Sequence, residues 1–170
     1  VTRLCTIELR ARLLDMAVTD EMVCFSLYSA ARATTQAYRT LLAPWGLTYP
    51  QYLVLAILWH EGEQTIGSLG EAMQLDSGTL SPLVRRLEQS GLVRKQRSSA
   101  DERVVTVQLT ADGQALRGDL AKIPAEVAGF SGIHDDAHRL RLIAELHELT
   151  RLLQASTPTP AGAARARGSE

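Results

Sequence analysis

Cysteine is almost missing from this chain: 170 residues contain two, Cys5 and Cys24. That excludes a disulfide framework and a cysteine-based zinc site. Aromatic residues are also scarce, at 5% against a hydrophobic share of 45%, which favours a helix-rich globular chain over a β-sandwich. Charge of one sign is lacking too, with 18 basic and 19 acidic side chains. A nucleic-acid binder of that balance has to concentrate its positive charge locally. No apolar run approaches the roughly 20 residues that span a bilayer, and the N-terminus lacks the basic, apolar, small-residue order of a signal peptide. The expected compartment is the cytoplasm, where thiols stay reduced; no membrane partner and no cofactor are expected.

What is present is helical periodicity broken by clear punctuation. Residues 1–18 read as an appendage with a short amphipathic segment. Asp20 offers an N-cap for a long helix over residues 21–42, which Pro44-Trp45-Gly46 ends. A second helix is expected over 49–60 and a third over 65–73, with Ile66, Leu69 and Ala72 turned inward. A fourth runs to Gln89 with Leu80, Leu83, Val84 and Leu87 at i, i+3, i+4, i+7 spacing, and Gly91 closes it. Residues 92–97 and 104–109, rich in β-branched side chains about a polar turn, predict a two-stranded hairpin. Thr110-Ala111-Asp112-Gly113 starts a fifth helix towards Phe130, which Pro124 kinks or divides. A last helix over 136–154 carries an apolar stripe of Leu142, Ile143, Leu146, Leu149 and Leu153. The tail over 156–170 is expected to be disordered.

Helix, turn, helix and hairpin within residues 64–110 make a winged helix-turn-helix, so the fold class is mainly α with a small β-hairpin wing. With the apolar face of the fourth helix pinned inward, Ser77, Gly78, Thr79, Ser81, Pro82, Arg85 and Arg86 are free to approach DNA. Small hydroxyl residues permit close entry to a major groove, and arginines bond phosphates or guanine edges. Pro82 inside that helix implies either a late helix start or a local kink. The hairpin adds Arg94, Lys95, Arg97 and Arg103. Residues 76–109 hold six basic and four acidic side chains, a local net of +2 in a chain whose net charge is −1.

Asp101-Glu102-Arg103, followed by Val104–Gln108 and Leu109-Thr110, resembles the wing signature of the MarR family of transcription regulators. That resemblance implies that Arg103 reaches into the minor groove and is held by Asp101; narrow A·T tracts attract arginine in this way. The plainer reading is a surface pair closing the hairpin tip. The resemblance also implies a dimer, built by helices over about 20–43 and 111–154 within a domain of residues 19–155. The long first and last helices have no other evident place to bury their apolar faces.

Cys24 falls near the start of the long helix, where unpaired N–H groups and the helix dipole favour an anion such as the reactive thiolate. Tyr38 follows 14 residues later, which returns it to within about 40° of the same face but about 21 Å along a straight helix. The two meet only if two copies of the helix pack antiparallel about a two-fold axis. Together with Tyr49 in its Tyr-Pro-Gln-Tyr context, the region is similar to the organic-hydroperoxide-sensing (OhrR-type) branch of the MarR family over about residues 22–154. The resemblance implies that Tyr38 and Tyr49 of one subunit hold Cys24 of the other. A hydroperoxide oxidises that thiol to sulfenic acid, the operator is released, and a peroxide-detoxification gene is derepressed.

One departure concerns the resolving cysteine that two-cysteine members carry in the fifth helix, since residues 125–130 have none. Cys5, 19 residues before Cys24, is a candidate only if the N-terminal segment folds back. A mixed disulfide with a low-molecular-weight thiol is the alternative. Cys24 as an inert buried thiol is the bland reading. Another is a MarR-type repressor released by a small aromatic or phenolic ligand, with Cys24 incidental. A thiol peroxidase is disfavoured, because no arginine and threonine arrangement around Cys24 would polarise an O–O bond, and the chain is not expected to be an enzyme. His134 and His138 stand at a helical ligand spacing with Asp135 and His147 near, but surface histidines are far commoner and no metal is expected.

Overall fold

The computed structural model describes residues 22–97, 105–133 and 135–156. In chain order they form α1 (Val23–Leu42), a 3-10 turn (Ala43–Trp45), α2 (Tyr49–Glu61), β1 (Gln64–Thr65), α3 (Ile66–Met73), α4 (Ser77–Gln89), β2 (Val93–Arg97), β3 (Val105–Leu109), α5 (Ala111–Leu120), α6 (Ile123–Phe130) and α7 (Asp136–Ser156). Two compact units divide the chain, Val1–Val127 and Ala128–Glu170. Among the described residues no single helix is long and apolar enough to cross a membrane.

The core of the first unit forms around α2, whose Val54, Leu55 and Leu58 are buried. A helix apolar on nearly every side has to sit inside. Gln51 closes its N-terminus by accepting from the Thr48 backbone N–H at 2.9 Å, and Pro50 occupies the first turn, where a missing donor costs nothing. Leu42 from α1, Leu69 from α3, Leu80, Val84 and Leu87 from α4, and Leu120 from α5 pack into it, with Val93 and Val107 from the sheet and Ile123 from α6. Leu80, Val84 and Leu87 lie on the face that periodicity assigned to the interior; Leu83 is half-buried.

Several boundaries differ from expectation. The long helix begins at Val23 with Met22 at its N-cap and no capping side chain; Asp20 lies outside the described residues. Ala72 is exposed, whereas Met73 packs against the core. The wing is a three-stranded antiparallel sheet in the order β1-β3-β2, not a lone hairpin. The added strand is two residues long, pairing Gln64 with Val107 and Thr65 with Thr106, too short for any alternating pattern to betray it. Pro124 divides the fifth helix into α5 and α6. At Pro82 a late start is ruled out: α4 begins at Ser77 and contains the proline.

Asp76 caps α4, accepting from the Thr79 hydroxyl at 2.9 Å and the Thr79 backbone N–H at 3.0 Å. Those bonds, the hydroxyl's first, hold its carboxyl below the usual carboxylate range. A depressed folded-state value means that the cap is complete above the unfolded value and is lost as pH falls through the lower, folded one. An NMR titration of Asp76 is expected to show a midpoint below that of an unstructured aspartate, and Thr79→Ala should move it upward.

Candidate nucleic-acid interface and thiol site

The α3–turn–α4 pair and the sheet place most of the predicted DNA-contacting residues on one lobe. Ser77, Gly78, Thr79, Ser81, Pro82, Arg85 and Arg86 are all exposed on α4, opposite the buried face that anchors it. Arg94 and Lys95 of β2 point to opposite sides of the sheet, as alternation along a strand demands. Lys95 turns towards α4, where its Nζ meets Glu88 Oε2 at 2.8 Å. Arg94 lies over its cross-strand partner Gln108, donating to Oε1 from Nε at 3.1 Å and from Nη2 at 2.8 Å. Gln108 Nε2 in turn donates to Glu63. Arg97 ends β2; Asp101 and Arg103 lie outside the described residues, as do Cys5 and His134.

Glu63, Glu88 and Gln108 were not among the residues singled out from the sequence. Each matters through a bond between separate elements, 7, 14 and 45 positions apart, and no helix or strand period marks such a bond in advance.

At the second site the structure brings two of the three predicted residues together. Tyr38, near the end of α1, is buried and stacks on Tyr49 at the start of α2, with ring centroids 4.1 Å apart and planes at 29°. Tyr52 joins at 5.7 Å from Tyr38, and Trp59 follows at 6.2 Å from Tyr52. Burial first, then the neighbouring Tyr49 and Tyr52, pushes the Tyr38 hydroxyl up to about 12. Burial raises Tyr49 and Tyr52 as well. All three therefore stay neutral hydroxyls, able to donate a hydrogen bond, throughout the ordinary pH range. Cys24, the second residue of α1, is a free and exposed thiol. Fourteen residues of straight helix put it about 21 Å from Tyr38, so one chain does not assemble the trio.

The geometry is that of a winged-helix lobe joined to a long helix, and known proteins share it. The pattern of the SarA/Rot transcriptional regulators matches residues 36–120. The HTH-type transcriptional regulator TtmR of Methylorubrum extorquens is 44% identical over 149 residues, 86% of this chain and 76% of that protein. The chain belongs to the SarA/Rot family of MarR-like winged-helix transcription regulators. It is thus a DNA-binding regulator and not an enzyme. A second relative, the organic hydroperoxide resistance transcriptional regulator of Bacillus subtilis, is 43% identical over 117 residues, covering 69% of this chain and 80% of that one. Among solved structures, reduced AbfR bound to DNA superimposes with a TM-score of 0.69 at 34% identity, over 77% of this chain and 92% of AbfR. The disulfide form of AbfR gives 0.58 at 30% identity, over 91% and 97%.

Proposed function

We propose that this regulator is a homodimeric repressor whose operator binding is switched off when an organic hydroperoxide oxidises Cys24. The observation that carries the proposal is the split site: a stacked, neutral Tyr38–Tyr49 pair at one end of α1 and an exposed thiol at the other. Antiparallel pairing of two α1 helices about a two-fold axis sets each thiol beside the partner's phenols. In the single chain α1 shows Val23, Phe25 and Tyr28 to solvent, and α7 shows Leu140, Ile143, Leu146 and Leu153. Apolar surface of that extent belongs in an interface. The kinship with the Bacillus subtilis hydroperoxide regulator, and with a protein solved in reduced and disulfide forms, favours the same chemistry.

In that chemistry the thiolate attacks one oxygen of the peroxide, the O–O bond breaks, and the alcohol leaves with a proton. The sulfur, now a sulfenic acid, no longer accepts from the phenols as a thiolate does. Condensation with a low-molecular-weight thiol, or with Cys5, forms a disulfide and releases water. The loosened α1–α2 junction shifts the lobes carrying α4, and the operator is released. The expected gene under control encodes a hydroperoxide-detoxifying enzyme. On the DNA side, α4 enters the major groove with Arg85 and Arg86 towards the backbone, and Arg97 and Arg103 serve the wing.

The test is fluorescence anisotropy on an operator duplex selected from a random-sequence pool, with cumene hydroperoxide added. Wild type is expected to lose at least tenfold in affinity, and Cys24→Ser to stay bound. Release of both, or of neither, would transfer the switch to a small-ligand mechanism.

A further inference from the structure

Glu88 occupies the last turn of α4 (Ser77–Gln89), where a carboxylate opposes the helix dipole and is disfavoured. Its placement is explained by what it grips. The carboxylate takes the Lys95 ammonium at 2.8 Å on Oε2 and the Lys95 backbone N–H at 3.2 Å on Oε1. Because β2 is an edge strand in the order β1-β3-β2, that N–H points away from the sheet and has no strand to bond. One side chain thus satisfies the strand edge, neutralises a cation and ties the wing to the recognition helix. The Lys95 bond comes first; it outweighs burial, which pushes the other way, and with a smaller contribution from Arg85 it holds the Glu88 carboxyl below the usual range. It is therefore ionised wherever DNA binding is measured.

We infer that Glu88 is a specificity-determining residue for DNA binding, acting as a positioning residue that keeps Lys95 off the phosphate backbone and holds the wing against α4. Cations on a DNA-binding face bind any duplex, since phosphate contacts carry no sequence information. A cation tethered internally adds nothing to that background. Both members of the pair are about one-third exposed, 33% for Lys95 and 37% for Glu88, so Lys95 has a path to solvent once released. The pair is too open for its loss to unfold the lobe. The inference rests on DNA being bound through this lobe.

The experiment is a salt titration of reduced protein on two duplexes, the selected operator and a scrambled copy. The variants are Glu88→Gln, Lys95→Gln and the double substitution. Glu88→Gln keeps an acceptor for the backbone N–H and removes the charge. It is expected to steepen the slope of log affinity on log salt by about 0.9, one added phosphate contact. It should also tighten the scrambled duplex several-fold more than the operator. Lys95→Gln alone should leave the slope as in wild type, and the double variant should return it there. Additive slope changes, or a flatter slope from Lys95→Gln alone, would show that Lys95 already lies on phosphate and overturn the inference. Failure of wild type to bind any duplex would instead refute the reading of the lobe as a DNA-binding unit, and this inference with it.

Discussion

Replacing Gly113 by alanine is expected to destabilise the protein by about 3 kcal/mol, the upper end of the usual cost of overpacking, because no space exists for a single added carbon. A Cβ built there lies 2.0 Å from the carbonyl oxygen of Leu92 and 3.0 Å from its carbon. Both are backbone atoms, so relief requires moving β2 relative to α5 rather than turning a side chain. The junction is also tied by hydrogen bonds that such a movement would stretch. Thr110 N–H donates to Leu92 O at 3.0 Å, the Thr110 hydroxyl to Gly91 O at 2.6 Å, and Trp59 Nε1–H to Gly113 O at 2.9 Å. Native domains are stable by about 5–15 kcal/mol, so the loss is a large fraction of the whole. Gly118 is the internal control. It lies in the same helix with nothing within 4 Å of its Cβ position, and Gly118→Ala is expected to stabilise by about 0.5–1 kcal/mol. Urea unfolding of the two variants reads the contrast as midpoint shifts of opposite sign at unchanged slope. Midpoints moving the same way would mean that the Leu92 contact is not rigid.

A mixed dimer should recover sensing that neither of its parent homodimers has. The first parent is Cys24→Ser; the second is Tyr38→Phe with Tyr49→Phe, which keeps the stacked rings and removes only the hydroxyls. Hydrogen bonds to a charged group contribute about 1.5–3 kcal/mol, so the phenylalanine homodimer is expected to oxidise about 10- to 100-fold more slowly. If the site is shared between subunits, the mixed dimer holds one complete copy: the thiol of the second chain against the phenols of the first. Dual-tag purification and mass-spectrometric trapping of sulfenate on the second chain would then show oxidation at the wild-type rate. Were the trio assembled within one chain, no complete site would exist in the mixed dimer, and the slow rate would persist. That result would sink the two-fold arrangement while leaving thiol chemistry itself open to the Cys24→Ser experiment.

Much of this architecture is legible in local patterns. The i, i+3, i+4, i+7 spacing of Leu80, Leu83, Val84 and Leu87 placed the inner face of α4 because burial follows helical period. Pro44 and Pro124 marked breaks because proline lacks a backbone donor, and Gly91 because glycine alone takes a left-handed turn freely; Pro82, held inside α4, shows that packing can override the first signal. Gly91 takes a φ of +73° just past α4. The dipeptide β1 was invisible, since two residues have no period and only pairing with Val107 and Thr106 makes them a strand. Likewise the requirement for glycine at 113 depends on the Leu92 carbonyl 21 positions earlier, and nothing near Gly113 in the chain announces it.

The proposed functional residues divide the same way. A cysteine and a tyrosine 14 positions apart on one helix share a face by arithmetic alone, and the same arithmetic keeps them apart in one chain. That Tyr38 stacks on Tyr49, and that burial keeps both neutral, was decided by the 74° bend between α1 and α2. The basic residues of α4 and β2 could be named from composition and spacing. Which of them is already engaged could not: Lys95 is held by Glu88 and Arg94 by Gln108. A helix or strand reports its own faces through its period; the partner across a face is chosen only when the elements pack.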